Sequence, residues 1–387
     1  MTTCEIDHHV PVPRLSSNAQ RRERILRSSI LGGFLLIAIL IFSLEAAAAE
    51  FGPVPNAEVN KARAALGKRL FFDSRLSGDT QLSCASCHQP DKGFSDGLAL
   101  GRAYPGSLHF RNTPTLINVA LRESWMHDGR LGTNLNDVTR EMLTETYLMN
   151  MDMRLMQERI KQDPVYVKMF EDAGLGEPSN GGVRNAIPEY LKTLTSRGAA
   201  FEEGKMNSAA KRGFKLFKGK ANCVSCHSGI RFSDDRAHVT GVPGNDDIWE
   251  DPKRHITFVT YAKFMGVENY MNLRHDPGAY IRTHQSMSDR SFLTPTLREL
   301  KYTAPYMHNG MLKSLADVVN FYNAGGGDAP NKSKLLKPLE LSVKEQADLV
   351  SFLESLSGDP LTGDEHVWKE VIPSTYPAIP DWINTPN

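Results

Sequence analysis

Two short segments of this chain repeat one pattern: Cys84-Ala85-Ser86-Cys87-His88 and Cys223-Val224-Ser225-Cys226-His227. C-x-x-C-H is the attachment motif of c-type haem. Two thiols at this spacing reach the two vinyl groups of one porphyrin, and the adjacent His meets the iron. A single copy would leave a thioredoxin-like redox pair or half a zinc site open. Two copies, each with its His, narrow the reading. A structural zinc site lacks a partner pair at short finger spacing, and a disulfide leaves both histidines unexplained. The motifs therefore predict two covalently bound c-type haems, with Cys84, Cys87, Cys223 and Cys226 as attachment points and His88 and His227 as iron ligands. The fold has to close around two flat apolar groups.

The fifth cysteine, Cys4, precedes a basic cluster (Arg21, Arg22, Arg24, Arg27), an apolar run from Ile30 to Leu44 and the stretch Ala46-Ala47-Ala48-Ala49. This order is the signature of a secretory signal peptide over residues 1–49. The rival reading is an uncleaved N-terminal anchor, but a spanning helix usually needs ~20 apolar residues. Both readings export the body of the chain, which predicts a periplasmic location. With 45 basic and 45 acidic residues, the chain has no charge excess to bind nucleic acid.

The two halves look like copies of each other. Leu70-Phe71 precedes the first motif and Leu216-Phe217 the second. Gly93-Phe94-Ser95-Asp96 follows the first and Arg231-Phe232-Ser233-Asp234 the second. Thr113-Pro114-Thr115-Leu116 recurs as Thr294-Pro295-Thr296-Leu297, and twelve residues after each second Thr stands a histidine, His127 or His308. Matched order and spacing predict two related domains, 50–200 and 205–387, with one haem each. Ser314-Leu-Ala-Asp317 and Ser342-Val-Lys-Glu345 read as capping boxes that open amphipathic helices. Alternating β-branched runs are scarce, so the expected class is all-α. Residues 229–290 form an insert whose structure the pattern leaves open.

The two haem motifs, Arg111-Asn112-Thr113-Pro114-Thr115-Leu116, His127-Asp128-Gly129-Arg130 and Pro305-Tyr306-Met307-His308-Asn309-Gly310 together resemble the bacterial dihaem cytochrome c peroxidase family, which includes MauG. The resemblance covers roughly residues 55–358. It implies two cytochrome c-like domains, each wrapped around one haem, the first reacting with peroxide and the second relaying electrons. It also implies a calcium ion between the domains, held by the Asn112 side chain and the carbonyls of Thr303 and Pro305, which are hard oxygen donors. On the residues alone, Asn112 and Pro305 could equally be turn formers. Homodimers occur in the family, so a homodimer is a possible state.

In the peroxidases a Met stands fourteen residues after the His of the P-Y-x-H-x-G motif; here that position is Tyr322, and Tyr is what MauG uses. Met/His ligation raises a haem potential, whereas an anionic Tyr favours ferric iron. The alternative makes Tyr322 a core residue and Met307 or Met311 the ligand. The family's W-D-G-R motif also changes. Its Trp slot holds His127, and Trp125, two residues earlier, is either an electron relay or core. The Gln slot falls at Asp137-Val138 and the Glu slot at Tyr147–Asn150, without a Glu. Peroxide cleavage needs a group that moves a proton, which leaves Glu141, Glu145, Asp152 or His127. His127, Trp125 and Glu145 are taken as the catalytic candidates. Met149, Met151 or Met153 could instead close the iron, though such stripes are more often core. Some members close the first haem with a His before R-N-x-P-T-L; the counted position here is Tyr104, with His109 nearer Asn112. Loss of His at the counted place favours an open first haem.

Two function classes follow. One is an oxidoreductase that reduces hydrogen peroxide with electrons from a small c-type cytochrome, a cupredoxin or residues of a protein substrate. The other is a non-enzymatic dihaem electron carrier, supported by the altered peroxide pocket.

Overall fold

The computed structural model describes residues 51–132 and 134–361, and the signal peptide expected over 1–49 lies outside them. Its longer helices are α1 (Lys61–Phe71), α2 (Leu135–Thr144), α3 (Met153–Lys161), α4 (Pro164–Asp172), α5 (Asn180–Thr193), α6 (Ser208–Lys218), α7 (Pro252–Phe264), α8 (Leu315–Asn323) and α9 (Val343–Glu354). Strand β1 (Ala237–His238) pairs antiparallel with β2 (Phe292–Leu293), the single small sheet among the described residues. The chain is thus mostly helical, as expected. Both expected capping boxes form: Ser314 with Asp317 opens α8, and Ser342 with Glu345 opens α9.

The duplication reaches the backbone. In the first half α1 crosses α5 at Gly67, where a Cβ would come within 2.0 Å of the Ala186 carbonyl oxygen. In the second half α6 crosses α9 at Gly213, where a Cβ would come within 2.0 Å of the Asp348 carbonyl oxygen. Only a residue without a side chain allows such a close crossing. The two glycines stand in one register, Gly67-x-x-Leu70-Phe71 and Gly213-x-x-Leu216-Phe217. The turns match as well. Trp125 pairs with Leu131, and Tyr306 with Leu312. Thr115 donates its hydroxyl to the Gly93 carbonyl at 2.6 Å, and Thr296 donates to that of Arg231 at 2.8 Å.

Three apolar clusters hold these elements. One joins α1, α3, α4 and α5 with Trp125, Met149 and Met151. Another joins α6, α8 and α9, with edge-on contacts among Phe201, Phe217, Phe232 and Phe352. The third answers what the insert does. Its Ile248, Phe258, Tyr261 and Ile281 pack on Leu100, Phe110 and Tyr147 of the first half. Helix α7 starts at Asp251, which accepts from the N–H groups of Lys253 and Arg254, with Pro252 in the first turn.

A buried charge network ties the insert to the His127-Asp128-Gly129-Arg130 turn. Arg111 takes Asp276 of the insert in a two-pronged grip, Nε–Oδ2 2.6 Å and Nη2–Oδ1 2.7 Å. Its remaining nitrogen meets Asp128. The Tyr261 hydroxyl and Arg130 also reach Asp128, at 2.7 and 3.1 Å. Burial pushes the Asp128 and Asp276 carboxyls up, but the Arg111 guanidinium and the other donors around them together outweigh it, and both are held low.

Candidate active site

Each haem motif folds into a tight turn that presents its histidine. Cys84–Cys87 form one helical turn that begins at Ser83, and His88 follows it. His88 Nδ1 lies 3.0 Å from the Phe94 carbonyl, and His227 Nδ1 lies 2.8 Å from the Phe232 carbonyl. Phe94 and Phe232 both adopt positive φ, 55° and 54°, which turns the carbonyls back onto the rings. A carbonyl only accepts, so each Nδ1 carries the proton and each Nε2 keeps its lone pair for a metal. Burial holds both imidazoles below their ordinary pKa, against the pull of these carbonyls, so both rings are neutral at pH 7.

The two histidines open onto two large cavities. The first, about 1410 Å³ with its solvent mouth, is lined by Cys84, Cys87 and His88 and by Trp125, Tyr147 and Met149, among others. The second, about 1330 Å³, is lined by His227, Pro295, Leu297, Met307, Val318 and Tyr322, among others. Burial pushes the Cys84, Cys87 and Cys223 thiols up to about 12 and that of Cys226 to about 11. These walls favour uncharged sulfur, as suits thioether links to an apolar ring. Lone-pair histidines, neutral thiols and the largely apolar linings of these cavities fit two c-type haems.

Asn112, Thr113, Pro114, Thr115, Arg122 and His127 line both cavities and form the wall between them. His127 is fixed there by its Nε2, 2.9 Å from the Asn112 carbonyl. Burial, with Arg111 nearby, brings its pKa down to about 4. His308, its counterpart in the second half, lines the second cavity and stacks on Phe292 at 3.6 Å. Trp125 is buried, lines the first cavity alone, and donates its indole N–H to the Val119 carbonyl at 3.3 Å.

The expected calcium donors also come together. Asn112, Thr303 and Pro305 all line the second cavity. The Asn112 amide lies 2.7 Å from the Leu98 carbonyl and 3.5 Å from the Pro305 carbonyl. Amide nitrogen and oxygen are assigned from such contacts, so a flipped Asn112 would turn a third oxygen toward the same place.

The chain resembles known proteins over most of its length. Residues 61–209 match the family model described as di-haem cytochrome c peroxidase. The cytochrome-c peroxidase IdrP2 of Denitromonas iodatirespirans is 45% identical over 88% of this chain and 94% of its own. The chain belongs to the dihaem cytochrome c peroxidase family. Another member, the methylamine utilization protein MauG of Methylorubrum extorquens, is 36% identical over 79% of this chain and 82% of its own. A crystal structure of a MauG-like protein associated with microbial copper homeostasis shares the fold, with a TM-score of 0.67 at 24% identity over 80% of this chain and 94% of its own. The family makes this chain a dihaem peroxidase-type oxidoreductase with two c-type haems, and sets aside the reading as a non-enzymatic carrier.

Within this dihaem peroxidase the expected catalytic residues divide. His127 stands on the shared wall and Trp125 on the first cavity, whereas Glu145 lines neither cavity. The Glu145 carboxylate is turned back to accept from the Thr146 N–H at 2.9 Å. Of the methionines weighed as first-haem ligands, Met149 lines the cavity and Met151 and Met153 do not. Tyr104 is not part of the lining, while His109 is, with Nδ1 2.9 Å from the Arg111 N–H. In the second cavity Met307 is a wall residue, and Met311 is not. Sequence reasoning missed Arg122 and Tyr261 as wall residues. Nothing local marks Arg122, and Tyr261 comes from the insert.

Proposed function

We propose that this chain is an exported, periplasmic peroxidase that reduces hydrogen peroxide in the first cavity and draws electrons through the second. Its electron source is a small c-type cytochrome, in keeping with the cytochrome-c peroxidase names of relatives such as that of D. iodatirespirans. We read residues 50–200 and 205–387 as two cytochrome c-like domains, joined by the wall that both cavities share.

The observation that carries this reading is an asymmetry between the cavities. Tyr322 shares the second cavity with His227 and serves as the second iron ligand there. In the first cavity the nearest equivalent, His109, has its Nδ1 held against the Arg111 backbone, 2.9 Å from the N–H and 3.2 Å from the carbonyl, and the counted position, Tyr104, is not part of the lining. The first site is open and the second closed.

When bound, a haem supplies an iron that takes an oxygen ligand and passes single electrons. The residues of this chain do the remainder. His88 and His227 offer Nε2, with their rings held by the Phe94 and Phe232 carbonyls. His127 stays neutral and fixed on Asn112, a polar bridge in the wall at the Trp slot of the family's W-D-G-R motif. Asn112, Thr303 and Pro305 hold a calcium ion beside that wall, which stiffens it. Tyr322 in place of Met favours the oxidised state of the second site. This feature also supports a second reading, in which the electrons come from residues of a protein substrate, as in the MauG branch.

Peroxide-dependent oxidation of a reduced small c-type cytochrome by the purified holoprotein tests the proposal. Turnover is expected. Consumption of peroxide without oxidation of cytochrome or cupredoxin would favour the protein-substrate reading, and no reaction with peroxide would contradict both.

A further inference from the structure

Two residues that line the first cavity each carry a buried polar atom that the protein itself leaves unsatisfied. The Tyr147 hydroxyl and the Arg130 Nε are both buried and have no hydrogen-bond partner among the described residues. Both residues line the cavity that holds His88. A buried hydroxyl without a partner is costly, and most such groups in folded proteins are satisfied by protein, water or a ligand.

Ring packing holds Tyr147, and an ion pair holds Arg130. The Tyr147 ring sits between His109, at 5.6 Å, and Tyr261, perpendicular at 6.4 Å. Its backbone is held too, since the Tyr147 carbonyl accepts from the Tyr104 N–H at 3.0 Å. Arg130 is clamped by Asp128 at 3.1 Å and lies over the Tyr261 ring at 5.3 Å. The two groups are electrostatic neighbours: Arg130 draws the Tyr147 pKa down, though burial, the larger effect, raises it. The phenol therefore stays protonated at pH 7 and remains a donor.

We propose that Tyr147 and Arg130 are the oxidant-contacting donors of the first cavity, a phenol O–H and a guanidinium N–H that hydrogen-bond a small oxygen-donor ligand of the hydroperoxide class. This proposal rests on the reading of the first site as open. It gives that site a polar contact that Glu145, facing Thr146, does not provide.

The test is optical titration of the oxidised holoprotein with two ligands. Fluoride accepts hydrogen bonds from the cavity wall, and imidazole binds iron without needing them. In Tyr147→Phe, fluoride affinity should fall about tenfold or more, the scale of one hydrogen bond to a charged group, with imidazole affinity unchanged. The melting temperature should not fall, because the variant removes an unsatisfied hydroxyl. Arg130→Met should weaken fluoride in the same selective way. Equal fluoride affinity in wild type and Tyr147→Phe, or equal losses for both ligands, would overturn the proposal while leaving the open site intact. Failure of the wild type to bind either ligand would overturn both.

Discussion

Tyr322 shares its cavity with His227. It sits one turn beyond Val318 on α8, and Leu315, Val318 and Tyr322 all line that cavity. Burial pushes its phenol well above the ordinary range, so only a strong positive partner such as ferric iron would draw the proton off. Tyr322→Met should therefore raise the midpoint potential of the second haem and change its ferric absorption spectrum, because a thioether favours the reduced metal. Redox titration reads both. An unchanged spectrum would mean that Tyr322 is only a core residue.

The shared wall should depend on calcium. Asn112 lies 3.5 Å from the Pro305 carbonyl, and its backbone N–H donates to the His308 carbonyl at 2.7 Å. Chelation of the holoprotein should lower its melting temperature and slow electron exchange between the haems, and added calcium should restore both. Asn112→Ala should weaken the response to calcium. Indifference of the wild type to chelator would remove the ion from the account.

The insert is locked to the first half through Arg111. Its guanidinium is 2% exposed and Asp276 5% exposed, so the charge left behind in Asp276→Asn has no water to turn to. Breaking a buried pair costs about 3–5 kcal/mol. Asp128 still faces Arg111, which places the expected loss near the lower end. Chemical denaturation measures it, and a change below about 1 kcal/mol, the scale of an exposed pair, would contradict the role given to this network.

Glu299 should leave a mark on the pH dependence of stability. Burial raises its carboxyl from 4.5 to about 7 in the folded chain. The folded state thus holds a proton that the unfolded state has released over that interval. Its contribution to stability is fully present below about 4.5 and is lost as the pH rises through about 7. Glu299→Gln should remove that slope. Parallel melting curves for wild type and variant from pH 4.5 to 7.5 would contradict it.

How much could be read in advance follows the range of each signal. C-x-x-C-H is local covalent chemistry, so Cys84 to His88 and Cys223 to His227 were readable outright. The capping boxes at Ser314 and Ser342 were equally local. Tyr322 is legible only through the family resemblance, at the position fourteen residues after the His of the P-Y-x-H-x-G motif. Gly67 and Gly213 stood in plain register with the Leu-Phe pairs, but a helix crossing is a contact between distant segments, and only its partner explains the glycine. Tyr261 reaches the first cavity from an insert absent from the first half, so the repeat carried no information about it. Glu145 is acidic and stands near a counted slot. The turn after α2 directs its carboxylate to Thr146 and buries Tyr147 at the cavity instead.

We read the first site as open beside a closed second one. Stopped-flow absorbance of the fully oxidised holoprotein mixed with one equivalent of hydrogen peroxide separates this from a closed resting site. A rapid spectral change without prior reduction is expected, because neither Tyr104 nor His109 closes the first site. No change until one electron has been added would contradict it and would mean that a side chain of the first cavity occupies the iron in the resting protein.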